Sequence, residues 1–488
     1  MKTSCLPLRR GFLMMIVALC LIAAAAHAGM EDGVKLYKQG KIDEAIVSLQ
    51  KTAQDNPKDA PTRRWLGYLL LTKQNYPEAL TVLKEARALG SDGYELRFNL
   101  GMAYLQTGNA GQAITEFMEG LKLRKDWAEA EYWLGNAYVK TGDTANAIAA
   151  YKKAIALNSN DADAHNNLGL TLGDSGNADE GISELRKATQ LAPQNADFWV
   201  HLGLALNGKK NVRDARSAFE KGTLADPNNY AARIGLAAIL TAQDEDSQAL
   251  VHYEAAAKIK PEEFVPNYNI GVLYSKQGKF VNAIDAFKAA LKINPEDVEA
   301  VAYYGWALFK TGKVDEGIAK MTEATQKDPK FAPAWQNLAT AYTIQNRNSE
   351  AITAWQGVLA ADPKNASAAL NLGYLYLTTG RNEEALEEYS TASKIDPKSA
   401  DACFGMGSAL ARLDKTDEAI ESYRKAIVLS PKLAAAYNNL GVELEKKGNI
   451  DEAKQQYRKA LQVDPKNEEA IKNMERFGEK PGLEKPGV

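Results

Sequence analysis

The chain has 488 residues, 45% of them apolar and 25% charged, a balance that supports a folded core and excludes disordered and collagen-like classes. With 59 basic against 62 acidic side chains and a net charge of −3, it lacks the basic footprint of a nucleic-acid binder. Nucleic acid is therefore not expected as a partner.

Lys2, Arg9 and Arg10 precede an uncharged, mostly apolar run from Gly11 to Ala26, and Ala26-His27-Ala28 follows before Gly29. This order predicts a secretory signal peptide over residues 1–28, cut after Ala28. The run is shorter than the roughly 20 residues of a spanning helix, so an uncleaved anchor is the less favoured reading and no transmembrane segment is expected in the mature chain. Removing residues 1–28 takes away three basic residues and no acidic one, moving the net charge from −3 to −6. Cys5 and Cys20 leave as well, so Cys403 is the single mature thiol and no intrachain disulfide can form. Leu19 stands before Cys20, where lipoprotein signals resemble one another in having a small residue, which argues against a lipid anchor.

From there a 34-residue period runs without insertion to Asn467. Counting position 1 at Ala26, Ala60, Tyr94 and onward to Ala434, thirteen repeats follow. Position 8 is Gly in all but two repeats, which hold Ala237 and Ala339, and position 20 is Ala except at Gly181 and Gly317. Small residues at both places let two facing helices approach closely. Position 32 is commonly proline, as at Pro57, Pro261, Pro295 and Pro465, and ends a helix there. Gly142, Gly278 and Gly312 sit where a first helix needs a left-handed terminating residue. Apolar residues between these marks recur at helical spacing, as in Leu134, Tyr138, Ala147, Ile148, Tyr151 and Ala154. Each repeat therefore reads as a helical hairpin. Residues 468–477 read as a capping helix, with Ile471 and Met474 inward, and 478–488 as a flexible tail.

The pattern Leu134-Gly135, Tyr138, Gly142, Ala147, Tyr151 and Ala154 resembles the tetratricopeptide repeat, as does Asn371-Leu372-Gly373 with Gly380, Ala385, Tyr389, Ala392 and Pro397. The resemblance covers residues 29–467, about nine-tenths of the chain. It implies an all-α fold, a right-handed superhelical solenoid of thirteen hairpins with a C-terminal capping helix. First helices would line the concave face and second helices the convex face, with partners bound in the concave groove.

No pattern supports a catalytic residue, a cofactor or a metal. Gly173-Asp174-Ser175-Gly176 is similar to the surroundings of a serine nucleophile, yet it occupies a hairpin turn. His165, His201 and His252 fall in separate repeats without a second ligand at helical spacing, and are expected at the surface or in the groove. Asn365-Ala366-Ser367 is a glycosylation acceptor pattern only in a eukaryotic source and otherwise a hairpin junction.

The partner-binding candidates are departures from the repeat. Asn99, Asn167, Asn269, Asn337, Asn371 and Asn439 share position 6, with Asn473 at the same phase of the capping helix. Asparagine is a poor helix former, but a row of amides can pair with peptide N–H and C=O groups. The row looks like the asparagine ladder of O-GlcNAc transferase repeats, without the catalytic region of those enzymes. A local consensus preference explains the same residues equally well. Beside them lie Phe98, Met102, Leu105, Tyr132, Val139, Tyr303, Trp306, Phe309, Tyr374 and Leu377. Such a stripe is either core or a groove wall. Positions 7 and 11 already supply a core, which favours the wall. Lys140, Lys276, Lys310 and Arg412 are too dispersed for a carboxylate clamp.

The expected function is thus that of an exported noncatalytic scaffold or adaptor, periplasmic or secreted if bacterial, binding a protein or extended peptide in the groove. The alternative is a structural part of a cell-envelope or polysaccharide-export assembly, since aromatic walls suit sugar rings too.

Overall fold

The computed structural model describes residues 28–478. The predicted signal segment up to His27, and the tail from residue 479, lie outside the described residues. Ala28, expected as the last residue of the signal, opens the first helix, Ala28–Lys38.

Among the described residues there are 27 helices and no strand. They follow one another in consecutive pairs and fall into two contact units, Met1–Gln243 and Asp244–Val488. The first unit holds six hairpins and then the helix Tyr230–Ala242; the second opens with Asp246–Ile259 and continues with six hairpins and the single helix Glu468–Arg476. Within each unit a second helix packs on the first helix of its own repeat and on the first helix of the next. Second helices of neighbouring repeats are kept apart by the first helix between them.

Helix boundaries follow the chemistry of the caps. Asp143 accepts a hydrogen bond from the Asn146 amide at 3.2 Å, and Asp297 accepts one from the Ala300 amide at 2.8 Å, each satisfying a donor that the helix start leaves open. The first helix ends over a left-handed residue, Gly142 at φ 77° and Gly312 at φ 88°. The same conformation is kept in five repeats that lack glycine there: Gln74, Lys210, Asp244, Asn346 and Asp414 have φ between 55° and 63°. The turn is imposed by the packing of the hairpin even where the residue disfavours it.

The invariantly small position 8 has a more specific purpose than helix approach alone. A Cβ on Gly135 would lie 2.6 Å from Tyr151 Cε1, one on Gly271 2.6 Å from Phe287 Cε1, and one on Gly441 2.6 Å from Tyr457 Cε1. The missing side chain is the seat of the large residue at position 24 of the same repeat. Direct backbone approach is closest where both small positions are glycine: Cβ atoms on Gly169 and Gly305 would meet the carbonyl oxygens of Gly181 and Gly317 at 2.8 and 2.9 Å.

First helices are buried more completely than a single apolar stripe suggests. In Ala128–Thr141 every residue from Ala130 to Ala137 is buried, because this helix meets its own second helix, the preceding second helix and the first helix of an adjacent repeat.

Candidate functional site

The position-6 asparagines divide into three groups. In the fourth to sixth repeats Asn167 belongs to a hydrogen-bonded chain. Tyr151 Oη donates to Asn136 Oδ1 at 2.7 Å, and Asn167 Nδ2 donates to the same oxygen at 3.0 Å and to Tyr132 Oη at 3.2 Å. Asn166 Nδ2 donates to Asn167 Oδ1 at 3.1 Å, and His201 Nδ1 lies 2.8 Å from Asn166 Oδ1. An amide oxygen can only accept, so the His201 proton sits on Nδ1. Burial lowers the His201 pKa below its usual value, with Asp197 acting in the opposite sense, and lifts that of Tyr151 far above the usual phenol range. Both groups are therefore held neutral at physiological pH.

The second unit repeats the arrangement at its end. Tyr423 Oη donates to Ser408 Oγ at 3.3 Å and accepts from Asn439 Nδ2 at 3.5 Å. Asn438 Nδ2 donates to Asn439 Oδ1 at 3.2 Å and to Glu469 Oε2 at 3.1 Å, and Asn473 Nδ2 donates to Asn438 Oδ1 at 2.9 Å. Tyr423, Ser408, Asn439, Asn438 and Asn473 stand at the repeat positions of Tyr151, Asn136, Asn167, Asn166 and His201. These amides knit successive repeats together. Asn136, Asn166 and Asn438 were not among the sequence candidates; the doublets Asn166-Asn167 and Asn438-Asn439 are the signal that could have found them.

The second group turns back on its own helix: Asn269 Nδ2 donates to Val265 O and Asn371 Nδ2 to Ser367 O, both at 2.8 Å. The third group has its amides turned inward, with Asn99 buried and Asn337 half-buried. Asn99 is a core residue, and Asn337 Nδ2 is enclosed without a hydrogen-bond partner.

The aromatic wall needs correcting. Phe98, Tyr132 and Phe309 are 1%, 4% and 7% exposed and belong to the core, as does Met102. Phe98 packs against Phe117 and against Trp127, the last residue of its repeat and the N-cap of the next first helix, with ring centroids 5.6 and 4.6 Å apart. Tyr132 packs against Trp133 and Tyr151. Positions 7 and 11 do not exhaust the core, because a first helix is covered from several sides. Tyr303 and Trp306 are half-buried, stacked on Phe287 and Phe309 respectively. Tyr374 is 57% exposed and Val139 47%. Of the named aromatics, Tyr374 alone stands open to solvent.

One histidine departs from the expected surface or groove setting, while His201 and His252 are half-buried. His165 is buried, its Nδ1 2.5 Å from Glu184 Oε2 and its Nε2 3.1 Å from Ser159 O. Among the described residues no three His, Cys, Asp or Glu side chains lie together as metal ligands. Ser175 caps a helix before Gly176 at φ 87°, so the nucleophile-like sequence is a turn.

Profiles of the tetratricopeptide repeat match residues 36–92, 66–130, 162–195, 274–342, 337–400 and 434–467, and a TPR repeat profile matches 135–176 and 407–447. Together they take in well over half of the sequence. The chain belongs to the tetratricopeptide-repeat family. No curated protein matches it. Among solved structures, this tetratricopeptide-repeat chain is similar to YrrB, described as a TPR protein with an unusual peptide-binding site, at 23% identity over 39% of this chain and 99% of that one, with a TM-score of 0.37. It is similar to the APC/C hetero-tetramer Cut9-Hcn1 at 16% identity over 92% and 95%, TM-score 0.36. The C-terminal part of a TPR repeat-containing protein from Cytophaga hutchinsonii aligns at 21% identity over 49% and 98%, TM-score 0.44. Among the described residues no helix is long and apolar enough to cross a membrane.

Proposed function

We propose that this tetratricopeptide-repeat protein is an exported, noncatalytic scaffold that binds a protein or extended peptide on its first helices, chiefly in the unit Asp244–Val488. The reading rests on Tyr374, 57% exposed on a first helix one turn from Asn371, with the unpartnered amide of Asn337 one repeat earlier. An exposed aromatic gives contact area with a polar tip. A buried amide lacking a partner is destabilising unless something else accepts its proton. The basic residues and apolar run before Ala28 support export.

The test places a photoreactive phenylalanine at Tyr374 and, as control, at Val428, which is 77% exposed on a second helix. Protein captured from the extracytoplasmic fraction at Tyr374 and not at Val428 is the expected result. Capture at Val428 alone, or of saccharide alone, would overturn the reading. Sequencing the amino terminus of the same fraction checks cleavage after Ala28.

A further inference from the structure

On the other face of the first unit an open groove of about 680 Å³ lies between the second helices Ala110–Leu123 and Thr144–Leu157, floored by the first helix Ala128–Thr141. Its walls are largely apolar, with Met118, Leu134 and Leu157 among them, and Lys122, Lys125 and Lys153 stand at it. Alanines open the space. Ala150 and Ala156 occupy repeat positions held by Glu116 and Lys122 one repeat earlier and by Glu184 and Gln190 one repeat later.

The floor carries the second observation. In the flanking repeats, position 4 is basic and pairs across the hairpin with the acid at position 23: Arg97 Nη1 donates to Glu116 Oε2 at 3.0 Å, and His165 meets Glu184. In the fourth repeat position 4 is Glu131 and position 23 is Ala150. The charge is reversed and the position-23 side chain that would face it is reduced to a methyl group. Glu131 is 6% exposed and lines the groove. Its Oε1 forms a long ion pair with Lys153 Nζ at 3.6 Å, and its buried Oε2 has no hydrogen-bond partner. A buried carboxylate oxygen in an apolar groove costs stability unless a donor reaches it.

We propose that this groove docks an amphipathic helix of a partner protein, whose apolar face carries one arginine or lysine that reaches Glu131. The spacing of two second helices over a first helix suits a helix laid between them. The cation would sit where Glu116 and Glu184 sit in the neighbouring repeats, and acidic residues flanking it would meet Lys122, Lys125 and Lys153. This surface is separate from the first-helix face, so its failure leaves the scaffold reading standing.

The probe is a hydrocarbon-stapled leucine-rich helix with glutamates at both ends and one central arginine, compared with its norleucine counterpart by fluorescence anisotropy on the full chain. The arginine peptide should bind about tenfold or more tighter, the equivalent of one charged hydrogen bond. Glu131→Gln should erase that preference, and Ala149→Leu, at an exposed groove position, should weaken both peptides. Tyr374→Ala should change neither. The proposal is overturned if neither peptide binds, if both bind equally, if the preference survives Glu131→Gln, or if binding survives Ala149→Leu. Octylguanidinium binding as tightly as the arginine peptide would also overturn it, because the occupant would then be a small amphiphile.

Discussion

His201 Nδ1 lies 2.8 Å from Asn166 Oδ1, one repeat back, and Asn473 Nδ2 makes the corresponding bond to Asn438 Oδ1 at 2.9 Å in the other unit. The same acceptor thus takes its proton from an imidazole in one place and an amide in the other. Only the imidazole titrates near neutral pH.

His201→Asn should therefore keep the bond and remove a pH dependence. Burial lowers the His201 pKa, so on acidification the unfolded chain takes up this proton before the folded one. The stability it contributes is complete above the unfolded value of about pH 6.5 and is lost as pH falls through the folded value. Unfolding free energies from urea melts should agree for native and variant protein at neutral pH, to within about 1 kcal/mol, with the native chain weakening more on acidification. Parallel pH profiles would refute the role given to His201.

Tyr151→Phe removes the hydroxyl that donates to Asn136 Oδ1 at 2.7 Å while keeping the ring seated on Gly135. Asn136 Nδ2 is already buried without a partner, so the site has little polar compensation to draw on. The expected loss is about 1–2 kcal/mol, read by denaturant melts, with faster amide exchange in the fourth and fifth repeats first, as expected where coupling is between neighbours.

Two glycine exchanges should act in opposite directions. Gly135→Ala puts a Cβ 2.6 Å from the fully buried Tyr151 ring and should cost about 1–3 kcal/mol through overpacking. Lys210→Gly relieves a left-handed lysine at φ 60° and should gain about 1 kcal/mol. A neutral or stabilising Gly135→Ala would mean that the ring has room to move.

The hairpins were legible because their marks are local. Pro261, Gly142 and Gly135 each meet a backbone or steric requirement within one repeat, and a 34-residue period repeats that requirement until it is unmistakable. The groove was less legible because exposure depends on neighbours. Phe98 and Tyr374 are both large and aromatic on a first helix, yet Phe98 is covered by Trp127 at the N-cap of the following helix, and Tyr374 is not covered. Asn167 and Asn371 share one repeat position, but Asn167 reaches Asn136 in the preceding repeat, whereas Asn371 bonds to its own helix. Glu131 was visible only as one acid among 62 acidic residues; its meaning comes from the arginine and histidine in its place one repeat away.

The same distinction orders the mutations that test the partner surface. Phe309 is 7% exposed, so Phe309→Ala should cost about 3–5 kcal/mol of stability, and any loss of binding with it reports unfolding. Tyr374→Ala should leave stability within about 0.5 kcal/mol and weaken partner capture by up to about 2 kcal/mol if the tyrosine is an anchor. Asn337→Ala deletes an amide whose buried Nδ2 has no partner, so the free protein should lose nothing in melting temperature. A bound peptide carbonyl that used this amide would lose about 0.5–1.5 kcal/mol. Thermal melts and partner titrations on the three variants separate the outcomes. If Tyr374→Ala and Asn337→Ala both bind as the native chain does, while Phe309→Ala binds poorly only when it melts early, then the first-helix face of the second unit is not the partner surface.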